Sequence, residues 1–404
     1  LKEGRSKRVF KIFSLKGGIS NVEGFYCDGV NAGLRPDPKQ GDLAFIRSET
    51  LCRVCALYTE NRFKAAPIRH AMRYGELFES DFLLVNAKNA NAMTGEKGIE
   101  DIEHILSMLP SDLEVHNPLM SSTGVIGYRL PVQKIVSAFD SFDWNAKNSD
   151  AAARAIMTTD SFKKELCFEV ETESGESFRI AAIAKGAGMI NPAMATMLCF
   201  ICTDADIPAD EMRGALERAV KGSFNRISVD GDMSTNDTVL LMANGRSGAY
   251  DRAAFSFALE KICFELAMMI LEDGEGSSKV VAFEVNGAAN DEEAARAAVN
   301  LSNSLLVKTA LFGEDPNWGR IASTIGASGI ECDEERLAIY YDDLLVYDSE
   351  HRELDSRREE AAYSIMKKKS FKIRCELGIG EGSYTAYGCD LSYDYVRINA
   401  EYRT

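Results

Sequence analysis

The sequence predicts a mixed α/β (α+β) fold in which layered sheets are flanked by helices. Two patterns carry that expectation. Short β-rich apolar runs alternate along the chain with longer segments whose apolar residues recur at helical spacing, and no repeat or low-complexity segment interrupts them. With 404 residues and 46% hydrophobic content, the chain can bury one large core or two ordinary domains, and no Pro/Ser-rich linker marks a boundary between them.

Taken in order, Leu51 to Tyr58 reads as a strand, and Asn145 to Asp150 as a polar turn or helix start. Phe168 to Glu173 and Phe178 to Ala184 are β-rich runs joined around Ser174-Gly175, which spells a hairpin. Met197 to Thr203 is again strand-like. Asp210 to Val220 places Met212, Leu216 and Ala219 on one helical face, and Arg252 to Leu271 does the same with Phe255, Leu259, Ile262, Leu266 and Met269. Asp291 to Phe312 reads as a third helix of this kind, and Glu353 to Lys369 as a fourth, charged and exposed. Lys279 to Val285, Leu337 to Tyr347, Phe371 to Leu377 and Asp390 to Asn399 read as strands.

Charge narrows the functional classes. A formal charge of -16 argues against nucleic acid or an anionic membrane as the main partner, since either calls for a basic face. No apolar run reaches the roughly 18 residues of a membrane span, and the charged Leu1 to Arg8 segment has no signal-peptide core behind it, so a cytoplasmic protein is expected. Ten cysteines are too dilute for a disulfide scaffold and read as reduced. Cys52/Cys55 and Cys199/Cys202 have the spacing of a four-thiolate zinc site, but both pairs sit in strand-like runs without the turns of a zinc knuckle, and core burial is the expectation. His70, His104, His116 and His351 are scattered, which argues against a histidine-based triad.

The chemistry concentrates in Lys185-Gly-Ala-Gly-Met-Ile-Asn-Pro-Ala-Met-Ala195-Thr196-Met-Leu, where a threonine follows a small residue downstream of glycines. A neutral threonine hydroxyl is a poor nucleophile and needs an adjacent base; an N-terminal threonine carries one as its own α-amine, with a pKa of about 7.7 to 8.0. Attack of the Thr196 hydroxyl on the Ala195 carbonyl, followed by hydrolysis of the resulting ester, would free that amine. The bland reading of the same residues is a helix cap or core hydroxyl at the start of a buried apolar element.

Seven blocks, in order, lift the segment above the bland reading. They are Asn86 to Gly95 (NAKNANAMTG), Ser121 to Gly127 (SSTGVIG), Lys185 to Thr203, Val229 to Thr238 (VDGDMSTNDT), Asp273 to Gly276 (DGEG), Asp315 to Arg320 (DPNWGR) and Gly388 to Asn399 (GCDLSYDYVRIN). Together they resemble the ornithine acetyltransferase family, also called glutamate N-acetyltransferase, from near residue 17 to the end. The resemblance implies a self-cleaving acyltransferase of the N-terminal-nucleophile kind, with an α fragment 1–195 and a β fragment 196–404 interwoven in one molecule. It implies cleavage between Ala195 and Thr196, Thr196 as nucleophile, and Thr123 and Gly124 as the oxyanion pair. Substrate contacts are implied for Thr158 or Thr159, Lys185, Thr196, Glu275, Asn399 and Thr404. The implied substrates are N2-acetylornithine and glutamate, with ornithine released and two α and two β fragments assembled. No metal or organic cofactor is required, and acetyl-CoA stays open as a second acetyl donor.

Each residue also has a plainer reading. Ser121 to Gly124 suits a helix cap or tight turn, Lys185 a solvated loop cation, and Glu275 a carboxylate at a helix N-terminus. Gly274 to Lys279 lacks the spacing of a P-loop and Gly378 to Gly382 is not a dinucleotide fingerprint; both read as turns. The rivals in function are a self-cleaving amidase or aminopeptidase that passes the acyl group to water, and an uncut, non-catalytic relative. Local departures from the family pattern are Met93, where relatives carry a cysteine, Tyr128-Arg129, Asn191 and Ala193.

Overall fold

The computed structural model describes residues 10–191 and 197–401. Among them, nine strands form one sheet. Its path runs Lys11–Leu15, Lys164–Glu171, Ser177–Lys185, Leu198–Thr203, Thr238–Ala243, Leu43–Tyr58, Leu77–Asn86 and Leu119–Ser122, with Phe25–Val30 pairing alongside Leu43–Tyr58. The sheet is mixed: Leu198–Thr203 lies parallel to Thr238–Ala243 and antiparallel to Ser177–Lys185. These two central strands are buried on both faces, which explains their unbroken apolar composition. Cys199, Ile201, Val239 and Leu241 point into one core, covered by the Ala209–Lys221 and Arg252–Glu272 helices. Leu198, Phe200, Cys202, Leu240 and Met242 point into the opposite core, under the Ser149–Ala155 helix.

That alternation also disposes of the cysteine pairs. Residues three apart in a strand face opposite sides, so Cys55 and Cys199 enter one core while Cys52 and Cys202 enter the other. The four thiols do not converge.

A second, six-stranded sheet is ordered Leu344–Tyr347, Ala338–Tyr341, Ser370–Glu376, Val280–Ala288, Gly382–Cys389 and Ile227–Ser228. Its core gathers Phe283, Val285, Ile339, Ile373 and Ala386 against the Asp291–Asn303 and Trp318–Gly326 helices. Mixed α/β architecture with helix-covered sheets is thus what the chain forms, and no described helix is long and apolar enough to cross a membrane.

Three elements differ from expectation. Asp291 to Phe312 is two helices, because Ser304 is extended (φ -65°, ψ 113°) and its hydroxyl caps the second one through the Val307 N–H. Leu337 to Tyr347 is a hairpin that turns at Asp342, whose φ is +50°. Asp390 to Asn399 is not a strand: the sheet ends at Cys389, and Tyr393–Glu401 is a helix. Its aromatic and β-branched residues suggested a strand, but Asp390 turns away to accept the Ser278 and Lys279 N–H groups at 2.7 and 3.0 Å, and Ser392 Oγ accepts the Asp394 N–H as a cap. The same hydroxyl donates to the Gly276 carbonyl, laying the helix across the 274–279 turn.

Candidate active site

The Thr123-Gly124 turn is set by strand register. Leu119–Ser122 lies parallel to Leu77–Asn86 with Ser122 opposite Asn86, and the chain leaves the sheet at Thr123. Thr123 N–H donates to Asn86 O at 3.0 Å and Val125 N–H to Lys88 O at 3.3 Å, while the Gly124 N–H between them has no acceptor among the described residues. Gly124 has φ +132°, and a Cβ there would stand 2.2 Å from the Lys88 carbonyl carbon. Only glycine fits. The segment is therefore a tight turn after a strand rather than a helix cap. Asn236 braces it from beneath, its Nδ2 donating to Ser122 O at 2.8 Å and Ala90 O at 2.7 Å.

Lys185 is no solvated loop cation. It ends the Ser177–Lys185 strand, level with Leu198 in the neighbouring strand, and is 3% exposed. Its Nζ donates to Thr123 Oγ1 across a long 3.4 Å. Burial pushes its pKa below the usual lysine value, opposed by the carboxylates of Asp160 and Glu275. Glu275 does not begin a helix either. It follows the end of the Arg252–Glu272 helix, in the turn that leads into the Val280–Ala288 strand. Its N–H donates to Ala187 O at 2.8 Å, and its Oε2 accepts from Asn399 Nδ2 at 2.7 Å. Gly188 makes room for it, since a Cβ at that position would meet the Glu275 carboxyl group at about 2.5 Å.

One cleft of about 150 Å³ brings together Thr123, Gly124, Thr158, Thr159, Lys185, Glu275 and Asn399. Both threonines of the Thr158-Thr159 pair line it. Ala195, Thr196 and Thr404 lie outside the described residues. The Met197 N–H donates to Asp237 Oδ1 at 3.1 Å, and the central strand begins at Leu198.

Sequence reading left other cleft residues without a role. Ser234, Thr235 and Asn236 line it, and they belong to the Val229 to Thr238 block, whose density of small polar residues was the available signal. Asp230 from the same block accepts the Met189 and Ile190 N–H groups at 2.7 and 2.9 Å, shaping the glycine-rich segment. Of the local departures, Met93 is 63% exposed and outside the cleft lining, Arg129 pairs with Asp101, and Asn191 Nδ2 donates to Gly231 O.

A buried cation, a half-buried carboxylate, an unused amide and several hydroxyls around a small cleft can hold a zwitterionic amino acid and stabilise charge on a carbonyl oxygen. Known proteins agree on what such a chain is. A Wolinella succinogenes protein named arginine biosynthesis bifunctional protein ArgJ is 56% identical over 397 residues, covering 98% of this chain and all of that protein. The glutamate N-acetyltransferase of Methanothermobacter thermautotrophicus is 41% identical over 96% of this chain and 98% of its own length. A crystal structure of ArgJ from Bacillus halodurans matches 49% of this chain and 96% of its own, at 43% identity and a TM-score of 0.46. The ArgJ family profile spans residues 26–404, and with the Wolinella and Methanothermobacter relatives it shows that the chain belongs to the ArgJ family.

Proposed function

We propose that the protein transfers an acetyl group from N2-acetylornithine to glutamate through an ester on Thr196, after cutting itself between Ala195 and Thr196 into fragments 1–195 and 196–404. The observation that carries this reading is the convergence of Thr123, Gly124, Lys185 and Glu275, far apart in sequence, on one cleft. At about 150 Å³ the cleft is smaller than the ~300 to 1,000 Å³ of pockets for drug-sized ligands. It suits one amino acid at a time, as a two-step exchange requires.

In the first step the Thr196 hydroxyl oxygen attacks the acetyl carbonyl carbon, and its proton passes to the freed α-amine of the same residue. Negative charge gathers on the carbonyl oxygen, where the Gly124 N–H and Thr123 hydroxyl would donate to it. The amide C–N bond then breaks, the proton goes to the departing ornithine nitrogen, and acetyl stays on Thr196 as an ester. In the second step the α-amine of glutamate attacks that ester, the C–O bond breaks, and a proton returns to the Thr196 oxygen. Lys185 would take the substrate α-carboxylate and Glu275 the ornithine side-chain ammonium.

The test is the mass of the purified protein under denaturing conditions, with the N-terminus of any smaller fragment sequenced. Two fragments, one starting Thr196-Met-Leu-Cys, are expected; a single chain surviving long incubation would remove the proposed nucleophile. Acetate release at the same rate with and without glutamate would favour the amidase reading. We propose the two-α, two-β assembly as well, which a native mass measures, and incubation with acetyl-CoA and glutamate decides whether a second donor is used.

A further inference from the structure

Beneath the cleft lies a charge cluster shut off from solvent. Lys164 is wholly buried at the start of the Lys164–Glu171 strand, and its Nζ meets Asp160 Oδ1 at 2.8 Å and Asp273 Oδ2 at 2.5 Å, with those side chains 0% and 3% exposed. Burying such a group of charges is unfavourable unless the remaining lone pairs are also satisfied. Here they are satisfied by the backbone of the cleft walls. Asp160 Oδ2 accepts the Thr158 N–H at 2.9 Å, and Asp160 Oδ1 accepts the Gly186 N–H, next to Lys185, at 2.8 Å. Asp273 accepts the Ser161 N–H at 3.1 Å and the Ser161 hydroxyl, and it stands two residues before Glu275. Burial pushes the Asp160 carboxyl up, but the Lys185 and Lys164 charges outweigh it and hold the group at about 2, so Asp160 is ionised at working pH.

We propose that Asp160, Lys164 and Asp273 act as positioning residues that fix the spacing between Lys185 and Glu275, and thereby select the length of the diamino acid held between them. The inference rests on the reading that Lys185 and Glu275 grip the two ends of the substrate. Three walls of the cleft meet at this cluster: the Thr158-Thr159 loop through Asp160, the end of the Lys185 strand through Gly186, and the Glu275 turn through Asp273. A rigid spacing discriminates against a chain one methylene longer or shorter. A pocket of this sort separates homologues differing by one methylene by roughly 10- to 200-fold.

Asp160→Asn loosens the cluster, removing its ion pair with Lys164 as well. Thr158 and Gly186 both donate N–H groups to Asp160, and an asparagine offers only one acceptor oxygen, so one wall comes loose while side-chain size is kept. The experiment compares kcat/KM for N2-acetylornithine with that for N2-acetyllysine and N2-acetyl-2,4-diaminobutyrate, using glutamate as acceptor, in the wild type and in Asp160→Asn. The expected result is that the wild-type preference for ornithine collapses by about tenfold or more in the variant. An unchanged preference, even with a lower overall rate or melting temperature, overturns the proposal, because a purely structural role would lower the amount of active enzyme without altering the ratio. Should Asp160→Asn fail to fold, Ser161→Ala, which removes one hydroxyl from Asp273, decides the matter by the same ratio: a drop of about threefold supports the proposal and none overturns it. Lys185→Ala in the same assay separates the two levels of argument. If it leaves the KM for N2-acetylornithine unchanged, the reading of the substrate grip fails; if it raises KM while Asp160→Asn keeps the wild-type preference, only the cluster's role fails.

Discussion

Lys185 and Lys308 are buried lysines in the two sheet regions, and the fold treats them in opposite ways. Lys308, on the Leu305–Phe312 helix beside the second sheet, is 1% exposed and gives its ammonium to the Cys389 carbonyl, with the Cys389 sulfur 3.5 Å away. Lys185, at the end of a strand in the first sheet, is 3% exposed, and its hydrogen bond among the described residues is the 3.4 Å contact with Thr123 Oγ1. A buried donor committed to a backbone carbonyl holds a helix to a strand. One left with donors to spare among the described residues is open to something that binds, which is the role proposed for Lys185. The comparison teaches that burial alone does not separate scaffold from site; the unused hydrogen-bonding capacity does.

Exchanging each lysine for methionine tests that distinction most severely. Lys185→Met should lower kcat/KM on the order of 10³-fold, as expected when a buried charge partner is lost. Lys308→Met should do the reverse, costing about 1–3 kcal/mol of stability through the stranded Cys389 carbonyl while each folded molecule keeps its activity. Calorimetry and steady-state kinetics on both variants read the result. A loss of activity per folded molecule in Lys308→Met as large as that in Lys185→Met would break the comparison. Gly124→Ala comes next. The new Cβ would collide with the Lys88–Asn89 backbone and displace the proposed oxyanion amide, so transfer should fall about 10²-fold, and self-cleavage with it if one site serves both steps.

A pH profile sharpens the comparison further. Lys185 faces Asp160, Lys164, Glu275 and Asp237, and burial lowers its pKa from the ordinary 10.5. KM for N2-acetylornithine should therefore stay level below the lowered value and climb before pH 10.5. Folding stability moves with the opposite sense over that window. The unfolded chain keeps the proton up to about 10.5 and the native state does not, so this residue's contribution to stability rises with pH between the two values. A KM that stays flat up to pH 10.5 would remove the charge of Lys185 from substrate binding.

How much of this was legible in the sequence depended on whether a feature is local. The hairpin around Gly175 and the long Arg252–Glu272 helix follow from periodicity and turn chemistry, and both stand close to where the sequence puts them. Ser304 and the Tyr393–Glu401 helix were misread because tertiary contacts decide them: a serine cap inside an apolar run, and a helix held down by Asp390 and Ser392 on the 274–279 turn. The cleft was legible only through the family blocks. Nothing in the spacing of Thr123, Lys185 and Glu275 says that they meet, and the plainer readings of Lys185 and Glu275 failed because a strand end and a helix exit place them side by side. Asp160, Lys164 and Asp273 were invisible for the same reason, since their pairing depends on three segments folding together.

Asn399 marks the shallow end of the comparison. It sits exposed on the C-terminal helix, where its Nδ2 donates to Glu275 Oε2 at 2.7 Å and also to the Tyr395 carbonyl at 3.0 Å. Water can replace the first of these bonds at little cost, unlike any bond made by Lys185. What Asn399→Ala removes is orientation: Glu275 loses the donor that holds one of its oxygens, while its N–H stays anchored to Ala187. The loss should therefore be that of one ordinary hydrogen bond, about 0.5–1.5 kcal/mol, read as a roughly threefold to tenfold rise in KM for N2-acetylornithine. Glutamate lacks the side-chain ammonium that Glu275 is proposed to meet, so its KM should move less. Equal rises for both substrates would place Glu275 at the shared α-amino acid end and reverse the proposed orientation of the donor in the cleft.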